Sequence, residues 1–373
     1  MSDSIVIARA SESRSSTRLD SSADTGAETV SSAKSMSEKR SSPVLPPRLH
    51  SGVDDVGSHP LKCILRRGRL PKFKRAKPSW RPPLSLDDRD IELMDAIQDF
   101  RLLSTPQLFR LFQGSRDTLY QQLQLLFHHG YVDRIPGSPN VPMVYALAAR
   151  GRQALINAGH LNGPVSPGRR NAGIQARYVA HQAMIADFRI TLILAARSSP
   201  AVRLLRFERE GEPIQDSVTV ERDGRRQRLP VNPDGFFGLQ FPDLPEGRNK
   251  AFFFVEADRS TMIRERFVQK LVGYWAWFCQ GGHTRKLGIK SFRVLTVTKS
   301  DERAAGLTDA ARGCREIRDG LAHFWFASES RFTSSGPAAI LGPVWETPAT
   351  PGVRRQLLPL ARMAREQNVA QTT

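Results

Sequence analysis

The most constraining stretch of the chain runs from Ser85 to Gly159, where three runs of helical apolar spacing stand close together, each opened by a capping residue and closed by a break. Ser85 with Asp88 has the spacing of a capping box, and Leu86, Asp90, Ile91, Leu93, Met94, Ile97 and Phe100 then predict a first helix ending near Asp99. Thr105 followed by Pro106 predicts the N-cap and first position of a short second helix, stopped at Gln113-Gly114. Ser115 opens a third helix over 116–129, whose Leu119, Leu123, Leu126 and Phe127 form one apolar stripe before Gly130 supplies a left-handed stop.

After Gly130, Tyr131 to Ile135 and Met143 to Leu147 flank a turn-rich tip, 136–140, which predicts a hairpin, and 150–158 predicts a closing helix. Three helices and a hairpin in this order are the parts of a winged helix-turn-helix. The stripe leaves Arg116, Thr118, Gln121, Gln122 and His128 on the outer face of the third helix, with Tyr120 close by. Arg and Gln side chains suit the edges of guanine and adenine in a major groove, so double-stranded DNA is the expected partner. Arg134 and Asn140 are the expected wing contacts to the DNA backbone. The same architecture also serves protein contact, which the pattern leaves open.

Charge points the same way. Lys and Arg total 55 against 37 Asp and Glu, a formal +18, and such an excess attracts polyanions whatever the fold. Residues 61–81 hold nine positive charges and no acid, among them Lys72, Lys74 and Arg75, with Phe73 and Trp80 interspersed. Placed just before the DNA-reading pattern, that run predicts a flexible basic arm that neutralises phosphates. The first 82 residues, rich in Ser, Asp, Arg and Pro at the start, predict a disordered tail ending in this arm.

The alternative polyanion is an anionic membrane, but no apolar stretch stands out at the roughly 20 residues that a spanning helix needs. The start of the chain has only a four-residue apolar run and no signal-peptide core, so a cytoplasmic location and no membrane partner are expected. Cys63, Cys279 and Cys314 lack the paired spacing of a zinc site or disulfide framework.

From about Gln175 the apolar pattern predicts a long helix to Arg197, a strand 202–207, a segment Pro233-Asp234-Gly235-Phe236-Phe237-Gly238-Leu239, a strand 251–255 running into Glu256-Ala257-Asp258, a helix 262–280, a strand 292–298 and a helix from Asp301. The order αβββαβ, with Pro-Asp at one strand start and Glu-x-Asp at the next strand end, resembles the PD-(D/E)xK restriction-endonuclease-like fold. The expected class is thus α/β overall: a tail over 1–82, a winged helix over 83–160, an αβββαβ domain over 174–328, and a largely irregular C-terminal tail over 329–373.

The span from about Leu84 to Leu321 more closely resembles the replication-relaxation family of plasmid and mobile-element proteins. The resemblance is carried by the winged helix, His181, Pro233-Asp234-Gly235, the element from Phe254 to Thr261, and Lys270 with Tyr274. It implies a non-enzymatic DNA-binding accessory of replication, relaxation or mobilisation, partnered by a relaxase or replication initiator, with a homodimer also open. No cofactor is expected on that reading.

A metal-dependent endonuclease is the first rival. Paired carboxylates from adjacent strands, Asp234 and Glu256, are hard oxygen ligands of the kind Mg²⁺ takes, and a held metal activates water against a phosphodiester. The nuclease pattern then needs a Lys two positions beyond the Glu, and Asp258 stands there. Lys270 is the candidate replacement, the bland alternative being Asp258 and Arg259 as a structural ion pair. His181 reads as a helix-packing residue and Asp187 as a solvated charge. The second rival is a transcriptional regulator.

Overall fold

The computed structural model describes residues 70–72, 74–135, 141–161, 171–209, 214–222, 224–260 and 262–359, all within one compact unit, 42–373. The hairpin tip with Asn140, and the arm before residue 70, lie outside the described residues.

Helix α1, Asp88–Phe100, begins two residues later than the Ser85 pattern suggested. Its N-cap is Asp87, whose carboxylate accepts from the Asp90 N–H at 2.8 Å. Asp90, counted on the apolar face, is indeed buried there. Strand β1, Leu103–Ser104, leads into α2, Thr105–Leu111, with Ser104 rather than Thr105 at the cap; its N–H donates to Gln107 Oε1 at 2.9 Å.

Helix α3, Arg116–His128, buries Leu119, Leu123, Leu126 and Phe127, and Gly130 closes it at φ +81°, where a side chain would be strained. Strands β2, Val132–Ile135, and β3, Val144–Leu147, pair antiparallel, and β3 also takes β1 in the order β1-β3-β2. Helix α4, Ala149–Asn157, completes the unit.

Helix α5, Ala176–Ser198, is the spine of the molecule. Ala186, Ile190 and Ile193 pack into the core of the three-helix unit, while Met184, Ile185, Phe188 and Leu192 pack under the large sheet. An 18-residue window within its 23 residues has a mean hydropathy of 1.3, which makes it, among the described helices, the one long and apolar enough to cross a bilayer, contrary to the expectation that no such stretch stands out. Here that apolar surface lies mostly inside the protein. Gln107 Nε2 donates to the Ala183 carbonyl at 3.0 Å, Arg110 pairs with Asp187 at 3.0 Å, and Arg189 pairs with Asp99, all tying α1 and α2 to α5. Asp187 is thus a partner across this junction rather than a solvated charge.

After α5 come β4, Arg203–Arg209, a hairpin of β5, Asp216–Arg222, and β6, Arg225–Val231, then β7, Gly235–Gln240, and β8, Lys250–Asp258. Helices α6, Arg264–Cys279, and α7, Gly282–Leu287, lead to β9, Arg293–Thr298; α8, Asp301–Gly313, and β10, Phe324–Ser328, follow. Short α9, Ser330–Thr333, β11, Trp345–Glu346, and β12, Arg354–Arg355, end the described chain.

The large sheet has the order β12-β11-β10-β9-β8-β7-β4, antiparallel from β4 to β8 and parallel from β8 through β10. The molecule is α/β, with mixed sheets.

Two features go beyond the sequence pattern. The β5–β6 hairpin falls outside the expected αβββαβ order; it sits on α6, where Trp277 Nε1 donates to Asp216 at 2.7 Å and Val218 and Leu229 join the core. In the described part of the segment after 328, to residue 359, regular elements are short, yet the segment is packed: Phe332, Ile340, Leu341, Trp345 and Leu357 fill the core on the α5 side of the sheet. Strand β10 is correspondingly internal, between β9 and β11.

Candidate nucleic-acid surface and carboxylate cluster

Along α3, Arg116, Thr118 and Tyr120 are exposed and Gln121 and Gln122 half-buried. Arg89 from α1 fixes one of them. Its Nε donates to Gln122 Oε1 at 3.2 Å and its Nη2 to the Gln113 carbonyl at 2.7 Å, tying the turn before α3 to α1. Because a guanidinium only donates, the Gln122 amide must turn its oxygen inward. Arg116 lies over the Phe109 ring at 5.6 Å.

The other end of α3 is not as expected. His128, placed on the outer face by the helical pattern, is fully buried, and its Nδ1 accepts the Ala76 N–H at 3.0 Å. Burial first, then the charges of Arg134, Arg81, His129 and Arg75, push its pKa down to about 4, so the ring is neutral.

The basic arm is therefore, in its described part, a packed strap and not a loose tail. Arg75 Nε donates to the Phe127 carbonyl at 3.0 Å and its Nη2 reaches Asp133 at 2.6 Å. Arg134, expected to face DNA from the wing, lies 4.3 Å from the Phe127 ring centroid and donates to the Lys72 carbonyl at 2.6 Å. It holds the strap against β2. Lys72, Lys74 and Lys77 are exposed along it.

In the α/β part, the ends of β7 and β8 bring the expected chemistry together. Asp234 precedes β7, and Gly235 follows because a Cβ there would meet Phe207 Cζ at 2.8 Å. Asp234 Oδ2 accepts the Ala257 N–H at 2.8 Å, and its Oδ1 lies 3.1 Å from His181 Nε2. His181, read as a packing residue, is thus a partner of the cluster across 53 positions of sequence.

Glu256, from β8, accepts from Tyr274 Oη at 2.6 Å and from Lys270 Nζ, both on α6 one turn apart. Burial pushes the Glu256 carboxyl up to about 7, assisted by Asp234 and opposed by Lys270. Burial alone would lower the Lys270 ammonium, but Glu256 and Asp234 outweigh it and carry it upward. Burial drives the Tyr274 hydroxyl well above its ordinary range, with the Glu256 charge adding to it. The hydroxyl stays protonated and donates.

Asp258 pairs with Arg303 through two bonds, at 2.7 and 3.1 Å, not with Arg259, which donates to the Arg177 carbonyl at 3.1 Å. Lys270 does reach the strand ends, as the nuclease alternative requires. Yet each carboxylate oxygen of Asp234 and Glu256 already has a hydrogen-bonding neighbour in the chain, His181 being one of them, and among the described residues no group of three or more His, Cys, Asp or Glu is arranged to hold a metal. On Glu256 these neighbours are an ammonium and a phenol, so a divalent cation there would compete with Lys270 and Tyr274 for the same oxygens.

Comparison with known families gives one match. A profile described as replication-relaxation covers residues 94–291, from within α1 to the loop before β9. No curated protein and no solved structure matches the chain. With more than half of its 373 residues under that profile, the chain belongs to the replication-relaxation family.

Proposed function

We propose that the chain is a non-enzymatic DNA-binding accessory protein of plasmid or mobile-element replication, relaxation or mobilisation, acting with a relaxase or replication initiator. On this reading α1–α3 with the β2–β3 hairpin form a winged helix-turn-helix whose α3 enters the major groove, and the α/β part is an endonuclease-like domain without cleavage. The observation that carries it is the first half of α3. Arg116, Thr118 and Tyr120 are left exposed on a helix whose opposite stripe is buried, although the α/β part packs against the neighbouring α2.

Against the nuclease reading stands the closed hydrogen bonding of Asp234 and Glu256. The test is a mobility shift of random-sequence duplex at low salt, together with incubation of supercoiled plasmid with Mg²⁺ or Mn²⁺. Duplex binding without nicking supports the proposal. No shift at low salt removes it, and metal-dependent nicking abolished by Asp234→Ala and Glu256→Ala replaces it with the endonuclease. Binding confined to a promoter beside its own gene would favour a regulator.

A further inference from the structure

Ala76 and Pro82 are the two feet of a short loop, and both rest on adjacent histidines at the end of α3. Ala76 donates its N–H to His128 Nδ1 at 3.0 Å, and His129 donates from Nε2 to the Pro82 carbonyl at 2.8 Å. Arg81 draws the feet together by donating from Nε to the Ala76 carbonyl at 2.8 Å. Within the loop a 3₁₀ turn, Pro78–Trp80, is closed by the Trp80 N–H on the Lys77 carbonyl at 2.9 Å. A loop tied at both feet and across its middle has little conformational freedom left to lose on binding.

What this loop presents is unusual for the molecule. Trp80 is 62% exposed, whereas Trp277 and Trp345 are 1% and 0% exposed. An indole held in water on a fixed turn has forgone its burial, and single aromatic side chains so placed are common contact residues. Its surroundings select the partner. Lys72, Lys74, Arg75, Lys77 and Arg81 share the segment, and no acid occurs between residues 70 and 86. Cations around one flat apolar ring match a polyanion that also carries flat apolar rings, which is nucleic acid. The anchoring histidines are the last residue of α3 and its C-cap, so the loop is fixed to the helix assigned to DNA, at the end opposite Arg116 and about 18 Å along its axis.

We propose that loop 76–82 is a second, preformed contact to double-stranded DNA, in which Lys77 meets backbone phosphate and the Trp80 indole lies against a base or sugar. This rests on the DNA-binding reading above and adds to it a contact outside the helix and hairpin. The full-length chain is titrated with a fluorescein-labelled random-sequence duplex, following anisotropy and, in parallel, acrylamide quenching of tryptophan with Trp80→Phe as the reference. Duplex should shield the quenchable tryptophan component that Trp80→Phe lacks, and Trp80→Ala should weaken binding by about tenfold. Lys77→Gln should lower the slope of log affinity against log salt by about one. If duplex binds while Trp80 stays equally quenchable and Trp80→Ala binds like the parent, the loop proposal is wrong and the DNA reading stands. If no variant or parent raises the anisotropy at low salt, the DNA reading itself falls. Shielding by an acidic peptide but not by bound duplex would assign the loop to a protein partner and overturn the proposal.

Discussion

Tyr274 donates its hydroxyl to Glu256 Oε1 at 2.6 Å, between two side chains that are both almost wholly buried. With Lys270 on the other oxygen, the carboxylate is bound from one helix by a neutral and a charged donor one turn apart. A carboxylate so enclosed joins α6 to β8, and its cost is a perturbed titration.

That titration fixes the first prediction. The Glu256 carboxyl titrates at about 7 in the folded chain against an ordinary 4.5. A raised folded value means that the unfolded chain loses the proton first, so stability present below pH 4.5 is lost as the pH rises through 7. Between those values the parent should lose on the order of 3 kcal/mol relative to Glu256→Gln. The Lys270 contribution is lost only above pH 10.5, outside this window. Urea midpoints for both proteins across the window check it; parallel curves refute it.

Asp258 and Arg303 give the second. The pair is nearly buried, with side-chain exposures of 4% and 17%, and truncating one partner leaves the other charge stranded. Arg303→Ala should therefore destabilise by roughly 3 kcal/mol. Arg259→Ala, which removes a bond to the Arg177 carbonyl, should cost about 1 kcal/mol. Equal losses in chemical denaturation would mean that Asp258 draws no more on Arg303 than on its sequence neighbour.

Helix α5 gives the third. Ile190 is fully buried in the core of the three-helix unit, while Leu192, two positions on, is fully buried under the large sheet. Neither core can lose this helix and remain closed, so calorimetry should show both melting in one transition. Ile190→Ala should lower that whole transition by about 2–5 kcal/mol. Two resolved transitions, with only one moved by the substitution, would show the halves to be independent.

How far these features could be read beforehand depends on where their order comes from. Helices α1 to α3 and strands β7 and β8 carry local patterns, such as the stripe Leu119-Leu123-Leu126 and the run Phe252-Phe253-Phe254-Val255, and those patterns were legible. Hairpin β5–β6 hid behind Arg222, Arg225, Arg226 and Arg228, although Val218, Leu229 and Val231 alternate inward as a half-buried strand requires. Phe332, Ile340 and Trp345 show no period because long-range packing in a Gly- and Pro-rich stretch buries them. His181 meeting Asp234, and Ala76 meeting His128, are pairings over 53 and 52 positions that no local pattern encodes. The strap is ordered by its anchors and not by its own composition, which is why it read as disordered.

The strap also changes how DNA affinity should be dissected. Deleting residues 61–81 would remove the proposed phosphate contacts, but it would also take Ala76 from His128 and Arg75 from the Phe127 carbonyl, so a weakened complex would not distinguish missing charge from a disturbed α3. Substitution in place avoids this. Lys72→Gln with Lys74→Gln, both on exposed side chains, should lower the salt slope by roughly 0.9 for each phosphate no longer neutralised while leaving the selected sequence unchanged. Gln121→Ala, at a half-buried position of α3 beside exposed Tyr120, should do the reverse, relaxing preference at one base pair by about 1–3 kcal/mol with the slope intact. Selection from a random pool, run at several salt concentrations for each variant, separates the two effects. An unchanged slope for the double lysine variant would mean that the strap's charge does not face the backbone.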